Sequence, residues 1–151
     1  MISPSPISHY FVILFIVDCL FCNIIAGEIP SHTVFEDEKT LAFLDIGPVN
    51  TGHTLVIPKR HSQNIFDIAS EDWAAVAETV RRVAGALEKG LGADGINLEM
   101  NNRPYAGQIV DHTHVHIIPR FRGDGLQHWP QHKYKEGEAE AALAKIRATI
   151  D

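Results

Sequence analysis

Cysteine is nearly absent from this chain. Cys19 and Cys22, in the stretch CLFC, are the only two in 151 residues. They are too few and too close together for the disulfide framework of a small secreted protein, and the spacing reads as half a metal site or a redox pair. Basic residues are also scarce, with 13 Lys and Arg against 19 Asp and Glu and a net charge of −6. That balance argues against a general nucleic-acid binder, whose phosphate contacts need a basic surface, and still allows one small phosphorylated ligand in a locally positive pocket. Long hydrophobic runs are missing too. YFVILFIV, residues 10–17, is interrupted by Asp18 and falls short of the ~20 residues that cross a bilayer. No Lys or Arg precedes Lys39 and no small-residue cleavage site follows the run, so a secretory signal is not expected either. Glycine-rich phosphate loops of the GxxxxGK or GxGxxG kind do not occur, which leaves ATPase and dinucleotide-binding readings without support.

What remains is an ordinary globular composition, 45% apolar and 21% charged, on a length suited to one domain with one sizeable core. TVFED and LAFLDI, around the acidic EDEK, predict a hairpin with a polar tip. HTLVIP predicts a third strand and INLEMNN a fourth. Between them Trp73, Val76, Val80, Val83, Ala84, Leu87 and Leu91 recur at three and four, which predicts one long helix from Ser70 to about Leu91, with Ser70 as N-cap and Glu71 and Asp72 in its first turn. RPYAGQ reads as a loop, HTHVHIIPR as a fifth strand, and the Ala- and Glu-rich end from Lys135 to Ile150 as a helix. Strands, then one long helix, then strands give an α+β domain around an antiparallel sheet.

The fifth strand raises the chemical question. His112, His114 and His116 alternate in VDHTHVHIIPR, so they share one strand face while Thr113, Val115 and Ile117 take the other. Imidazole has poor strand propensity, and three in strict alternation point to a metal site, a nucleophilic or general-base histidine, or both.

HTHVHII fits the histidine-triad pattern of His, apolar, His, apolar, His, apolar, apolar, with Thr113 as its imperfect apolar position. CLFCNIIAGEIPSHTVFEDEKTLAFLDIGPVNTGHTLVIPKRH, from Cys19 to His61, is similar to the N-terminal half of the same histidine-triad (HIT) family. The resemblance covers about Asp18 to Tyr134 and is nearest to a bacterial Hint-like branch with a CxxC zinc-type N-terminus. It implies the HIT fold: an antiparallel five-stranded sheet, one long helix, a short N-terminal helix, a C-terminal helix, and a homodimer in which two sheets join. Residues 1–17 are expected to be an apolar N-terminal extension ahead of a start near Val17, residues 18–134 the HIT domain, and residues 135–151 the C-terminal helix and tail.

By resemblance, His114 is the nucleophile, forming a nucleotidyl-histidine that water later attacks, and His116 and His53 flank the phosphate. Chemically, attack at an α-phosphorus needs a neutral imidazole aimed at phosphorus, donors for the non-bridging oxygens and a proton for the departing atom. A backbone carbonyl holding Nδ1–H would leave Nε2 as the nucleophile. Asp45 matches a carboxylate that accepts from ribose hydroxyls, although alone it reads as a turn residue. Phe21, Ile24, Phe43 and Ile46 match positions that sandwich the base, or are plain core. Asn101, Gly107 and Gln108 match the loop that holds phosphates, with Gly107 allowing close backbone approach and the two amides donating. Trp129, in LQHWP, matches a segment that reaches toward the partner's site, or packs in a dimer core. Ile109 departs from the pattern, since many Hint-like members carry a serine there that handles the leaving group, and isoleucine has no proton to donate.

The resemblance also gathers Cys19, Cys22, His61 in PKRH and His112 as ligands of a structural Zn2+; two thiolates and two imidazoles close a tetrahedron and leave no open position. No catalytic metal is required, so His112 ties the strand to the N-terminal segment while His114 and His116 face the phosphate. The expected function is hydrolysis or transfer at the α-phosphorus of nucleoside phosphoramidates or dinucleoside polyphosphates, probing a purine nucleotide and releasing the monophosphate. A homodimer in the cytoplasm is expected, with neither nucleic acid nor membrane as partner. The alternatives are a nucleotide-binding regulatory or adaptor protein with little turnover, and a form attached to a membrane through the apolar N-terminus.

Overall fold

The computed structural model describes residues 19–150. The expectations for residues 1–17 therefore lie outside the described residues. A short helix α1 (Leu20–Ile25) leads into strands β1 (Thr33–Glu36), β2 (Thr40–Leu44) and β3 (Thr54–Pro58). The long helix α2 (Ser70–Leu91), strands β4 (Gly95–Glu99) and β5 (Val115–Arg120) and helix α3 (Glu138–Arg147) follow. The five strands form one sheet in the order β1-β2-β3-β5-β4, with every neighbouring pair antiparallel. The expected five-stranded antiparallel architecture is the observed one.

Strand alternation divides the core between the two faces of the sheet. Ala42, Val56, Val115 and Ile117 point to one face and pack on Val76, Val80, Val83 and Leu87 of α2. Leu41, Phe43, Leu55 and Ile57 point to the other, where Cys19 and Phe21 of the α1 segment cover them. A sheet covered on both faces explains why β3 is buried throughout and apolar from Leu55 onward rather than alternating. The Leu55↔His116 pairing puts His116 on the α1 face, opposite the helix-covered face where Val56 pairs with Val115.

Three expected details change. Helix α2 spans the predicted residues, but Ala69 is its N-cap and Ser70 its first helical residue, with Asp72 and Trp73 N–H groups donating to the Ala69 carbonyl. The first turn is held instead by Arg60, which donates to the buried Asp72 at 2.6 Å and to Glu71 at 3.1 Å. Strand β5 begins at Val115, not at His112, because pairing with β3 stops at Val56. Ahead of it the chain bonds to the loop after β3 instead, through Thr113 N–H to the Ser62 carbonyl at 2.7 Å. His112 and His114 still share a side, since the Phe21 ring meets both edge-on. RPYAGQ contains a single 3-10 turn at Pro104–Ala106, and the C-terminal helix is shorter than expected.

Candidate active site

The α1 face of the sheet is incompletely filled, leaving a cavity of about 780 Å3, within the usual size range of small-molecule sites. Its wall includes Phe21, Ile24, Phe43, Asp45, Ile46, Asn101, Gly107, His114 and His116. Nine of the residues singled out in the sequence are thus brought to one cavity. His53 stands just behind, with Nε2 2.9 Å from Nδ1 of His116.

The backbone assigns the protons on these rings. The Val49 N–H can only donate, so Nδ1 of His53 accepts from it at 3.1 Å and the His53 proton resides on Nε2. That Nε2–H donates to Nδ1 of His116, which leaves the His116 proton on its own Nε2. His114 is set the other way. Its Nδ1 lies 2.6 Å from the His112 carbonyl, an acceptor only, so Nδ1 carries the proton and Nε2 keeps a lone pair. One imidazole at the cavity wall therefore carries a free Nε2 lone pair and its neighbour an Nε2–H, with their ring centroids 5.0 Å apart.

Burial favours the neutral form of His116 and His53. Desolvation, with the neighbouring His114 and His53 adding to it, pushes His116 down to about 4, and burial lowers His53 as well. Asp45 stands close by, its Oδ2 3.7 Å from His53 Nε2 and 3.9 Å from His116 Nδ1, while Oδ1 accepts from the Gly47 N–H at 2.8 Å. An anion in the cavity would favour charged imidazoles, and Asp45 is placed to stabilise them.

Gln108 stands off the cavity wall. Its side chain is buried and its amide is already committed, donating to the Gln63 and Val110 carbonyls at 2.6 and 3.0 Å and accepting from the Arg103 N–H at 2.6 Å. It braces the loop and has no donor left for a phosphate. Gly107, at φ +90 with the Asn101 amide beside it, shapes the loop where it lines the cavity. Ile109 lines the cavity mouth and is 94% exposed. Trp129, 81% exposed, is not among the residues around the cavity in this chain. The sequence gave no signal for Val49 or Pro58, whose contributions are main-chain atoms.

A second cluster lies outside the cavity wall. Cys19, Cys22, His61 and His112 each offer one ligand atom, all within 4.8 Å of one another. Nδ1 of His112 is 3.5 and 3.6 Å from the Cys19 and Cys22 sulfurs, and Nδ1 of His61 is 3.4 Å from Cys22 Sγ. A tetrahedral zinc with ordinary bond lengths has sulfur–nitrogen edges of roughly 3.5 Å, so the donor set fits that ion. His112 Nε2–H donates to the Pro58 carbonyl at 2.8 Å, which leaves Nδ1 unprotonated toward the thiols, and burial lowers the His112 pKa to about 4. Among the described residues no helix is long and apolar enough to cross a membrane.

Comparison with known proteins places this arrangement. An uncharacterised HIT-like protein of Methanocaldococcus jannaschii is 50% identical over 107 residues, 71% of this chain and 82% of its own length. The adenosine 5'-monophosphoramidase of Schizosaccharomyces pombe is 37% identical over 137 residues, 89% of this chain and 99% of its own. An adenylylsulfatase of Arabidopsis thaliana is 42% identical over 109 residues, 72% of this chain and 55% of its own. Among solved structures, a Streptococcus mutans protein superposes with a TM-score of 0.84 at 43% identity, covering 89% of this chain and 87% of its own. A zinc-bound histidine triad family protein of Mycobacterium smegmatis gives 0.71 at 39% identity, covering 88% and 98%. The HIT domain family model matches residues 26–123, from the end of α1 to just beyond β5, and with it the cavity and its histidines: the chain belongs to the HIT domain family.

Proposed function

We propose that the protein is a nucleotide hydrolase or transferase that cleaves at the α-phosphorus of nucleoside phosphoramidates or dinucleoside polyphosphates. The observation that carries this reading is the unprotonated Nε2 of His114 at the cavity wall, fixed by the 2.6 Å bond from its Nδ1–H to the His112 carbonyl. In the first step Nε2 bonds to phosphorus and the bond to the leaving group breaks, with the leaving group taking up a proton. In the second, water attacks phosphorus, its proton is removed, and the nucleoside monophosphate departs as His114 is restored. His116 donates its Nε2–H to a non-bridging oxygen, and His53 and Asp45 support the charge that builds on it. The base lies between Phe21, Ile24, Phe43 and Ile46, and Asp45 is also within the reading as acceptor for the ribose hydroxyls. A purine nucleotide is the proposed substrate.

The relatives support nucleotide chemistry in general, since two carry names for cleavage of adenylyl compounds. The Cys19, Cys22, His61 and His112 set is proposed to hold a structural Zn2+, which would tie α1 to the loops after β3 and before β5; the branch proposed is the Hint-like one with that CxxC. A homodimer is proposed because the C-terminal segment leaves Trp129, Tyr134, Leu143 and Ile146 exposed and no residue of α3 buried, a surface a second copy would cover. Sedimentation at twice the chain mass is the expected result.

Replacing His114 by Ala should abolish release of AMP from adenosine phosphoramidate and from diadenosine polyphosphate while AMP still binds. Turnover that survives the substitution would sink the assignment. Ile109 favours a second reading: with no proton donor at that point in the cavity mouth, the protein acts as a nucleotide-binding regulator. Tight AMP binding with negligible turnover on both substrates is the outcome that would favour it.

A further inference from the structure

We infer that His112 is a positioning residue for the nucleophile, and that metal held with Cys19, Cys22 and His61 sets the aim of His114 without touching the nucleotide. The inference rests on His114 as nucleophile. It starts from the three engagements of one fully buried side chain and its peptide group. The His112 ring points Nδ1 at both thiols, its Nε2–H is held by the Pro58 carbonyl at 2.8 Å, and its main-chain carbonyl receives the Nδ1–H of His114 at 2.6 Å. A ligand-bound His112 cannot rotate or shift without moving the carbonyl that fixes the His114 tautomer.

A second connection runs through packing. Cys19 and Cys22 bracket Phe21, whose ring meets His114 edge-on at 5.3 Å and His112 at 5.9 Å, and which also lines the cavity. Helix α1 has six residues, no side-chain cap and one buried residue, Phe21. A helix that short does not hold itself. Packing of Phe21 on Phe43 and the sheet seats it, and the grip of the two cysteines adds to that hold on the ring beside His114. Meanwhile Cys19, Cys22, His61 and His112 are all absent from the cavity wall, so the cluster acts on the site only through these two connections. Four protein ligands also leave no coordination position for substrate.

His61 is the member to change, because it is exposed, stands outside the cavity and makes no contact with His114 in the arrangement described. The full-length protein is compared in four forms: zinc-loaded, stripped by a chelator, His61→Ala, and His61→Cys, which restores a fourth ligand. Metal content, the ring-nitrogen NMR signals of His114, and kcat and KM are measured on each. The expected result is a single Nδ1–H tautomer of His114 in the loaded and His61→Cys proteins. In the stripped and His61→Ala proteins mixed tautomers are expected, with kcat lower by about tenfold or more, as a nucleophile displaced by a fraction of an ångström would give. KM should rise less than kcat falls, since most of the base-binding wall stays in place.

One tautomer and an unchanged kcat in the stripped and His61→Ala proteins would overturn the inference. Global unfolding of both, seen by circular dichroism, would overturn it too, because the cluster would then serve stability alone. If the loaded protein turns over nothing, the hydrolase reading fails, while the His114 signals still decide whether the cluster sets its tautomer.

Discussion

His114 and His116 are the same residue two positions apart, and their hydrogen bonds make them chemical opposites. A carbonyl holds the proton of His114 on Nδ1, and an imidazole chain beginning at the Val49 N–H holds that of His116 on Nε2. Residue type alone carries neither assignment. Gln108 makes the same point from the other side, since an amide that could serve a phosphate is bonded to three backbone groups, those of Arg103 and Val110 in its own loop and of Gln63 in the loop after β3. Arg103, at φ 73, is the one positive-φ residue other than glycine among those described, and the Gln108 oxygen on its N–H helps to hold that strained backbone. At Ile109 the residue scale yields a prediction. It is 94% exposed, so Ile109→Ser should leave stability nearly unchanged while supplying a hydroxyl at the cavity mouth. Turnover of phosphoramidates, whose amine must leave protonated, should rise roughly tenfold relative to dinucleoside polyphosphates. An unchanged ratio of kcat/KM for the two substrates would show that the leaving group does not pass this side chain.

At the scale of elements, the long helix and the strands were legible because their patterns are long and their burial one-sided. Val76, Val80, Val83 and Leu87 repeat at three and four and are the residues that bury against the sheet. Strand β5 was legible only from Val115 onward. Alternation in the three histidines predicted a common side, which the Phe21 contacts bear out, but the pairing partner changes at His114 from a strand to the Ser62 loop, and nothing local in HTHVH marks that change. Gly52, immediately before His53, is where two elements come nearest. It has φ +90, and a Cβ there would overlap the Leu91 side chain and crowd Leu87 and Pro119. Gly52→Ala should cost about 2–4 kcal/mol in urea unfolding, from strain and overpacking together. Gly85 in α2 faces open space, so Gly85→Ala should instead stabilise by about 1 kcal/mol in the same assay. Equal effects at the two positions would contradict the packing described.

At the scale of the whole molecule, neutral buried imidazoles tie stability to pH. Burial holds His116 near 4 in the fold against 6.5 in the unfolded chain, and lowers His53 in the same direction. As pH falls below 6.5 the unfolded chain binds protons that the fold refuses until about 4, so stability must drop across that window and level off beneath it. Each such ring contributes a slope of at most about 1.4 kcal/mol per pH unit. Bound AMP places a negative phosphate where the charged rings are favoured, so saturating AMP should flatten the slope. Calorimetric melting across the window, with and without AMP, checks both statements, and a slope that AMP leaves untouched would place the phosphate elsewhere.

The sequence by itself determined the class of fold, the five strands and the long helix, because side-chain periodicity and burial are local properties that a pattern of letters carries; the residues expected at the site came from the resemblance of its motifs to the HIT family. It also determined, through order and spacing, that the histidines stand on one side and that two cysteines stand ahead of them. Only the tertiary structure decided which ring nitrogen bears each proton, that the Gln108 amide is bonded to three backbone groups, and that His112 faces the thiols with its ring while its carbonyl receives the His114 Nδ1–H. Those outcomes depend on backbone donors and acceptors from residues such as Val49 and Pro58, brought to the rings by folding. Main-chain groups are the same in every residue, so their placement is a property of the folded chain.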